Sequence, residues 1–240
     1  MTNRQQLMAR LVATNQQTPR YLRSESADGE TRMYVYDVID PMWGVGAESF
    51  VKALNDVTDK TIHLHINSPG GDVFEARAMV TALRAHPANV IAHIDGVAAS
   101  AASYLAMAGD SVEMAEGAFL MVHKAWGMVI GNSDDLRTTA DLLDKIDGSI
   151  VDEYMKRTDA SQEQVQAWMA AETWFTAQEA LDAKFVDSIA DGSVKNAAQW
   201  NLSAFGEVPE KLQAARRQEQ EDIDRQARER RIEMVLQGIN

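Results

Sequence analysis

Apolar and polar positions alternate along TRMYVYDVI (31–39), TIHLHI (61–66) and NVIAHID (89–95), a two-residue period that predicts three strands. Between them the period lengthens. Ala47, Phe50, Val51, Leu54 and Val57 share one helical face after the glycine-containing turn that opens 41–57. Val73, Ala76, Met79, Val80 and Leu83 do the same within 73–86. SVEMAEGAFLMVHKAW reads as two short strands around Glu116-Gly117. The longest helical pattern spans 133–158, with Ser133 as N-cap and Asp134 and Asp135 in the first turn. Two shorter helices follow in SQEQVQAWMAAE and TAQEALDAKFVDSI, where Thr176 and Glu179 have capping-box spacing. Strands that alternate with helices predict a layered α/β domain.

The pattern fades at both ends. Residues 1–30 are polar and read as an irregular arm, and the domain occupies 31–192. From about 193 the chain becomes a linker and then a charged helical tail, EKLQAARRQEQEDIDRQARERRIEMVLQ, poor in large apolar residues. Composition narrows the function classes. The 240 residues include no cysteine, which excludes a thiol nucleophile, disulfides and cysteine-bound metals. The net charge of -13 argues against general nucleic-acid binding. No apolar run approaches the roughly 20 residues that span a bilayer, and the N-terminus has no signal-peptide core. The expectation is a soluble, cytoplasmic protein with no membrane or nucleic-acid partner.

Candidate chemistry lies at two strand-to-helix turns. In INSPGGDVFEA, Gly70 and Gly71 let backbone N–H groups approach a ligand with no Cβ in the way, and Asp72 is placed to cap the next helix. In DGVAASAASYLAMAG, Ser100 sits among Gly and Ala at the second turn. It reads either as a helix cap or as an exposed nucleophile. A nucleophile needs a base, and there are five histidines. His63 and His65 alternate on a strand with no flanking carboxylate cluster, which favours a structural role over a metal site. His86 ends a helix and His93 lies mid-strand. His123 ends an apolar run before an irregular segment, where a site residue would stand.

INSPGGDV, DGVAASAASYLAMAG, MVHKAW and AETWFTAQEALDAKFVD, in that order, resemble the Clp protease proteolytic subunit family across residues 33–191. The resemblance implies the Clp/crotonase-like fold of repeated β-β-α units with a protruding handle helix, here residues 133–158. It implies Ser100 as nucleophile and His123 as general base. Glu172 stands where the family usually has an aspartate that orients the base, with Asp187 and Asp159 as weaker alternatives. One oxyanion N–H then comes from Gly70 or Gly71 and the other from Ala101. Ser68 is read as a turn residue and Ser103 as packing. Lys184 replaces a glycine that is usual in the last motif.

The expected activity is serine endopeptidase chemistry on polypeptides, without metal or cofactor, in a ring-forming homo-oligomer. The absence of a convincing N-terminal pore hairpin, together with the charged tail, is most similar to the Clp-related head-maturation proteases of tailed phages, which act on capsid and scaffold proteins. A degradative subunit served by an unfoldase ATPase is the alternative; the chain itself has no phosphate-binding G-x-x-x-x-G-K-[ST] loop. A crotonase-like acyl-CoA enzyme and a catalytically silent assembly protein complete the set.

Overall fold

The computed structural model describes residues 22–190, 200, 202 and 205–213. Fourteen elements follow in order: β1 (Arg23–Ala27), β2 (Glu30–Val35), α1 (Ala47–Asn55), β3 (Thr61–Ser68), α2 (Val73–Ala85), β4 (Asn89–Ala99), α3 (Ala101–Ala106), β5 (Ser111–Ala115), β6 (Phe119–Val122), α4 (Ser133–Tyr154), α5 (Gln162–Ala170), β7 (Thr173–Thr176), α6 (Ala177–Asp182) and β8 (Ser188–Ala190). This is the mixed α/β fold expected.

One eight-stranded sheet runs β1-β2-β3-β4-β5-β8, with β6 added to β4 and β7 to β6. β2, β3, β4, β5 and β8 are parallel neighbours, and β1 and β7 are antiparallel additions. The central strand changes partner along its length. Ile91–Ile94 of β4 pair with β5, whereas Val97–Ala99 pair with Phe119–Met121 of β6. The register against β3 shifts between Ile66 and Ser68 at the same level. The sheet therefore forks beside the carboxyl end of β4, which is where an α/β sheet offers a crevice.

The alternation read from the sequence is the alternation of burial. Ile62, Leu64 and Ile66 of β3, and Val90, Ala92 and Ile94 of β4, face the core. Phe50 and Leu54 of α1, and Ala76, Met79, Val80 and Leu83 of α2, cover them. The capping predictions divide. Asp72 caps α2, accepting from the N–H groups of Phe74 and Glu75, and Thr176 with Glu179 closes a capping box on α6. The cap of α4 is Asn132 and not Ser133. Its side chain accepts from the N–H groups of Asp134 and Asp135, and Asp135 returns a bond to the Asn132 backbone. Asn and Ser cap about equally well, so the carboxylate three positions on selects the residue.

The reading of residues 1–30 as an irregular arm is corrected for 23–27. These form β1, which pairs with β2 through a two-residue turn in which Asp28 and Gly29 both have positive φ (57° and 79°). At the other end, residues assigned to the linker and tail return to the domain. Trp200 and Leu202 are buried against Val97, Ala99 and Met121, with Phe205, Val208 and Leu212 packed alongside. The charged stretch from 214 onward, like residues 1–21, lies outside the described residues.

The helix α4 splits in function. Ile146, Ile150 and Tyr154 bury themselves in the domain's own core, whereas Leu136 and Leu142 are about half exposed. The C-terminal half of its apolar stripe thus packs on the domain itself, and the N-terminal half, at Leu136 and Leu142, does not. Near its end, Glu153 is buried and receives two hydrogen bonds from Arg84 and one from Lys156 at 2.9 Å. Burial alone would raise the Glu153 carboxyl, but the bonds from Arg84 and Lys156 outweigh it and hold it below the usual range. Arg84→Met leaves that carboxylate short of its main partner and is expected to cost about 3 kcal/mol of stability at neutral pH. Chemical denaturation measures it. A depressed acid stabilises the fold above its unfolded pKa and loses that contribution as pH falls through the folded value. The gap between wild type and variant should therefore close in acid.

Candidate active site

Ser100 follows β4 directly and opens α3. Its backbone has φ 58° and ψ -124°, a conformation that side chains rarely adopt. Its N–H donates to the Met121 carbonyl of β6, and its own carbonyl accepts from Ser103 Oγ, which in turn bonds the buried Tyr154 hydroxyl (2.8 Å). Ser103 is thus structural, as read. Ser100 accepts no capping role, because its side chain makes no bond to the helix. Its Oγ instead lies 2.7 Å from Nε2 of His123.

His123 follows β6, which runs beside the last residues of β4. That pairing brings two residues 23 positions apart into hydrogen-bond contact. The histidine is 7 % exposed, and an edge-on contact with the Phe205 ring (5.8 Å between centroids) flanks it. Beyond it, the chain is fixed by Lys124 N–H to the Met169 carbonyl (3.1 Å) and by Ala125 N–H to the Asp147 carboxylate (2.7 Å).

The glycine turn meets the serine from β3. Gly70 has φ 87° and Gly71 φ 149°. A Cβ on Gly70 would lie 2.4 Å from the Ala99 carbonyl oxygen and 2.8 Å from the Ser100 Cβ, so only glycine permits this approach. The two glycines differ in their amides. Gly70 N–H donates to Ser68 Oγ (3.1 Å), which gives Ser68 the turn role read from the sequence and removes Gly70 from the candidate oxyanion donors. Gly71 and Ala101 keep N–H groups that no hydrogen bond among the described residues engages, and both line the same cleft as Ser100 and His123. That cleft holds about 480 Å³ and has an apolar wall of Phe74, Met128, Leu142, Leu143 and Ile146.

Glu172 precedes β7, whose antiparallel register pairs Thr173 with Val122. One step along that ladder puts Glu172 across from His123. It too has positive φ, 53°. The hydrogen bonds of its carboxylate within the described residues run to the N–H groups of Gly206 (2.6 Å) and Glu207 (3.1 Å). The two weaker acid candidates are committed elsewhere. Asp187 accepts from Val112 N–H and from Arg157, and Asp159 pairs with Lys184. Lys184 itself keeps the left-handed turn of the glycine it replaces, at φ 59°.

Three other histidines, His63, His65 and His93, form a separate cluster on the face of the sheet away from the core, whereas His86 ends α2 beside the Val57 carbonyl. His63 Nδ1 lies 2.9 Å from His93 Nε2, and Glu30 and Glu113 bond the outer nitrogens. His65 bonds Asp95 (2.8 Å), which also accepts from Tyr36. Carboxylates do flank these histidines, contrary to the sequence reading; they arrive from β2, β4 and β5, which the linear spacing hides. Burial and the neighbouring His65 push His93 down, so it favours the neutral form. Among the described residues no group of three or more histidines or carboxylates is placed to hold a metal, and no helix is long and apolar enough to cross a membrane.

The sequence profile of the Clp protease family matches residues 47–193, more than half of the chain. The chain belongs to the Clp protease family. Curated Clp relatives agree. The ATP-dependent Clp protease proteolytic subunit 1 of Leifsonia xyli is 30% identical over 152 residues, covering 62% of this chain and 77% of the relative. The proteolytic subunit of Deinococcus radiodurans is 31% identical over 140 residues (58% and 69%). Proteolytic subunit 2 of Mycolicibacterium paratuberculosis is 32% identical over 145 residues (60% and 72%). In this Clp protein, sequence reasoning missed Phe205, Gly206 and Glu207 beside the site. Their signal was the apolar spacing of WNLSAFGEV inside a stretch otherwise read as linker.

Proposed function

We propose that the protein is a serine endopeptidase in which Ser100, His123 and Glu172 form the catalytic group. The observation that carries the reading is the 2.7 Å contact between His123 Nε2 and Ser100 Oγ, at a serine whose backbone is held in a costly conformation. His123 takes the Oγ proton as Ser100 attacks the scissile carbonyl carbon. The carbonyl oxygen becomes an oxyanion, which the Gly71 and Ala101 N–H groups receive. Collapse of the tetrahedral species breaks the C–N bond, and His123 returns the proton to the leaving amine. Water then cleaves the acyl-enzyme by the same route. Glu172 orients the imidazole and balances its transient positive charge.

As to setting, the reading is a maturation protease that cuts capsid and scaffold proteins inside an assembling phage head, as a ring-forming homo-oligomer. The highly charged tail after residue 207 and the acidic net charge support an assembly role. A second setting is favoured by the names of the relatives, ATP-dependent Clp protease proteolytic subunits: degradation fed by a separate unfoldase ATPase. Unfoldase-stimulated proteolysis would select the second; processing of scaffold protein without nucleotide would select the first.

Labelling with a fluorophosphonate probe tests the chemistry. Intact mass and peptide mapping should place one adduct on Ser100, and His123→Ala should slow labelling at least about 100-fold. A folded wild type that stays unlabelled would sink the peptidase reading.

A further inference from the structure

We infer that Phe205–Glu207 is a positioning element of the catalytic site, acting through Glu172 and His123. The inference rests on the reading of these two residues as partners of Ser100. Three contacts carry it. The N–H groups of Gly206 and Glu207 converge on the same carboxylate oxygen, Oε1 of Glu172. Bonds from N–H to a carboxylate are the strong kind, and two on one oxygen set the direction of the other. The Phe205 ring stands edge-on to the His123 imidazole at 87° and to the Trp174 indole at 79°. It therefore bridges the base and β7 through ring contacts on both.

The segment is built in and not merely laid over the cleft. Val208 and Leu212 pack with Trp200 and Leu202 against Val97, Ala99 and Met121, the residues that bracket Ser100 in β4 and β6. Trp200 Nε1 also donates to Asn67 Oδ1, which holds the Val97 N–H as well. The same short stretch thus supports the nucleophile strand from behind and the acid from the front. A glutamate with φ 53° has one methylene more to place than an aspartate, and these amides supply the restraint.

The test separates the donor from the side chain. Glu207→Pro deletes one N–H to Glu172, Glu207→Ala keeps it, and Phe205→Leu removes the ring but keeps apolar bulk. In the full chain, Glu207→Pro and Phe205→Leu are expected to slow fluorophosphonate labelling of Ser100 about tenfold. Both should also shift the ring-nitrogen NMR signals of His123, and Glu207→Ala should recover most of the loss. Equal melting temperatures exclude simple unfolding; should Glu207→Pro not fold, Phe205→Leu decides alone. Labelling at the wild-type rate, or faster as for a released latch, overturns the inference. Unchanged His123 ring signals do so as well. Failure of the peptidase reading has a different signature: wild-type Ser100 does not label, while the ring signals still respond to Phe205→Leu.

Discussion

Ser100→Ala is expected to lower peptide cleavage by about 10⁵-fold or more while leaving the fold in place. The variant loses the oxygen that lies 2.7 Å from His123 Nε2 and would attack the substrate, so no acyl-enzyme can form. Alanine retains a Cβ and inherits the same backbone cost at φ 58°, so its melting temperature should match the wild type. Ser100→Gly is equally inactive but relieves that cost. It should exceed Ser100→Ala in stability by about 1 kcal/mol. Turnover of a peptide substrate together with thermal unfolding of both variants checks the pair. Residual cleavage within tenfold of wild type would remove Ser100 from the reaction. Equal stability of the two variants would mean that the serine conformation stores no strain.

Gly70→Ala is the second large effect. The added methyl would lie 2.4 Å from the Ala99 carbonyl oxygen and 2.9 Å from the Ala101 nitrogen, and both are backbone atoms that cannot swing aside. The turn must retreat and take Gly71 with it, which misplaces one candidate oxyanion donor and crowds the serine. The expected loss in kcat/KM is about 100- to 1,000-fold, the range found when an oxyanion donor is lost. KM should change little, because the donor acts on charge that exists only in the transition state. Activity near wild type would show that the turn is a spacer. Gly71→Ala is expected to be worse for folding, since its methyl meets the Ile39 carbonyl oxygen at 2.1 Å and breaks the bridge between Ile39 and the turn.

Much of this architecture was legible in the residues. Two-residue alternation in TIHLHI and NVIAHID reports one buried face, and that face is what the helices cover. Ser100 and His123 were legible as a pair only through the ordered motifs, since composition offers five histidines and no way to choose. What stayed hidden has physical reasons. β1 has no large apolar residue and is exposed throughout, so it has no hydrophobic periodicity, and its only mark is the Asp28-Gly29 turn. β4 was expected to end at Asp95, because Gly96 reads as a turn. It continues to Ala99, since a parallel strand with neighbours on both edges tolerates small residues. The alternative donors in the two-glycine turn could not be separated by sequence, because Ser68 decides between them through a side-chain bond. The anchoring of 200–212 depends on residues distant in the chain, Asn67 at 133 positions from Trp200 among them, and no local pattern encodes those.

The fork in the sheet has a consequence for biosynthesis. His123 reaches Ser100 only when β6 docks on the end of β4, Glu172 comes opposite His123 only when β7 docks on β6, and the amides that hold Glu172 arrive only when residues 206 and 207 have been made. A chain leaving the ribosome from its N-terminus therefore carries Ser100 without the complete set of groups around it until residue 207 has been added.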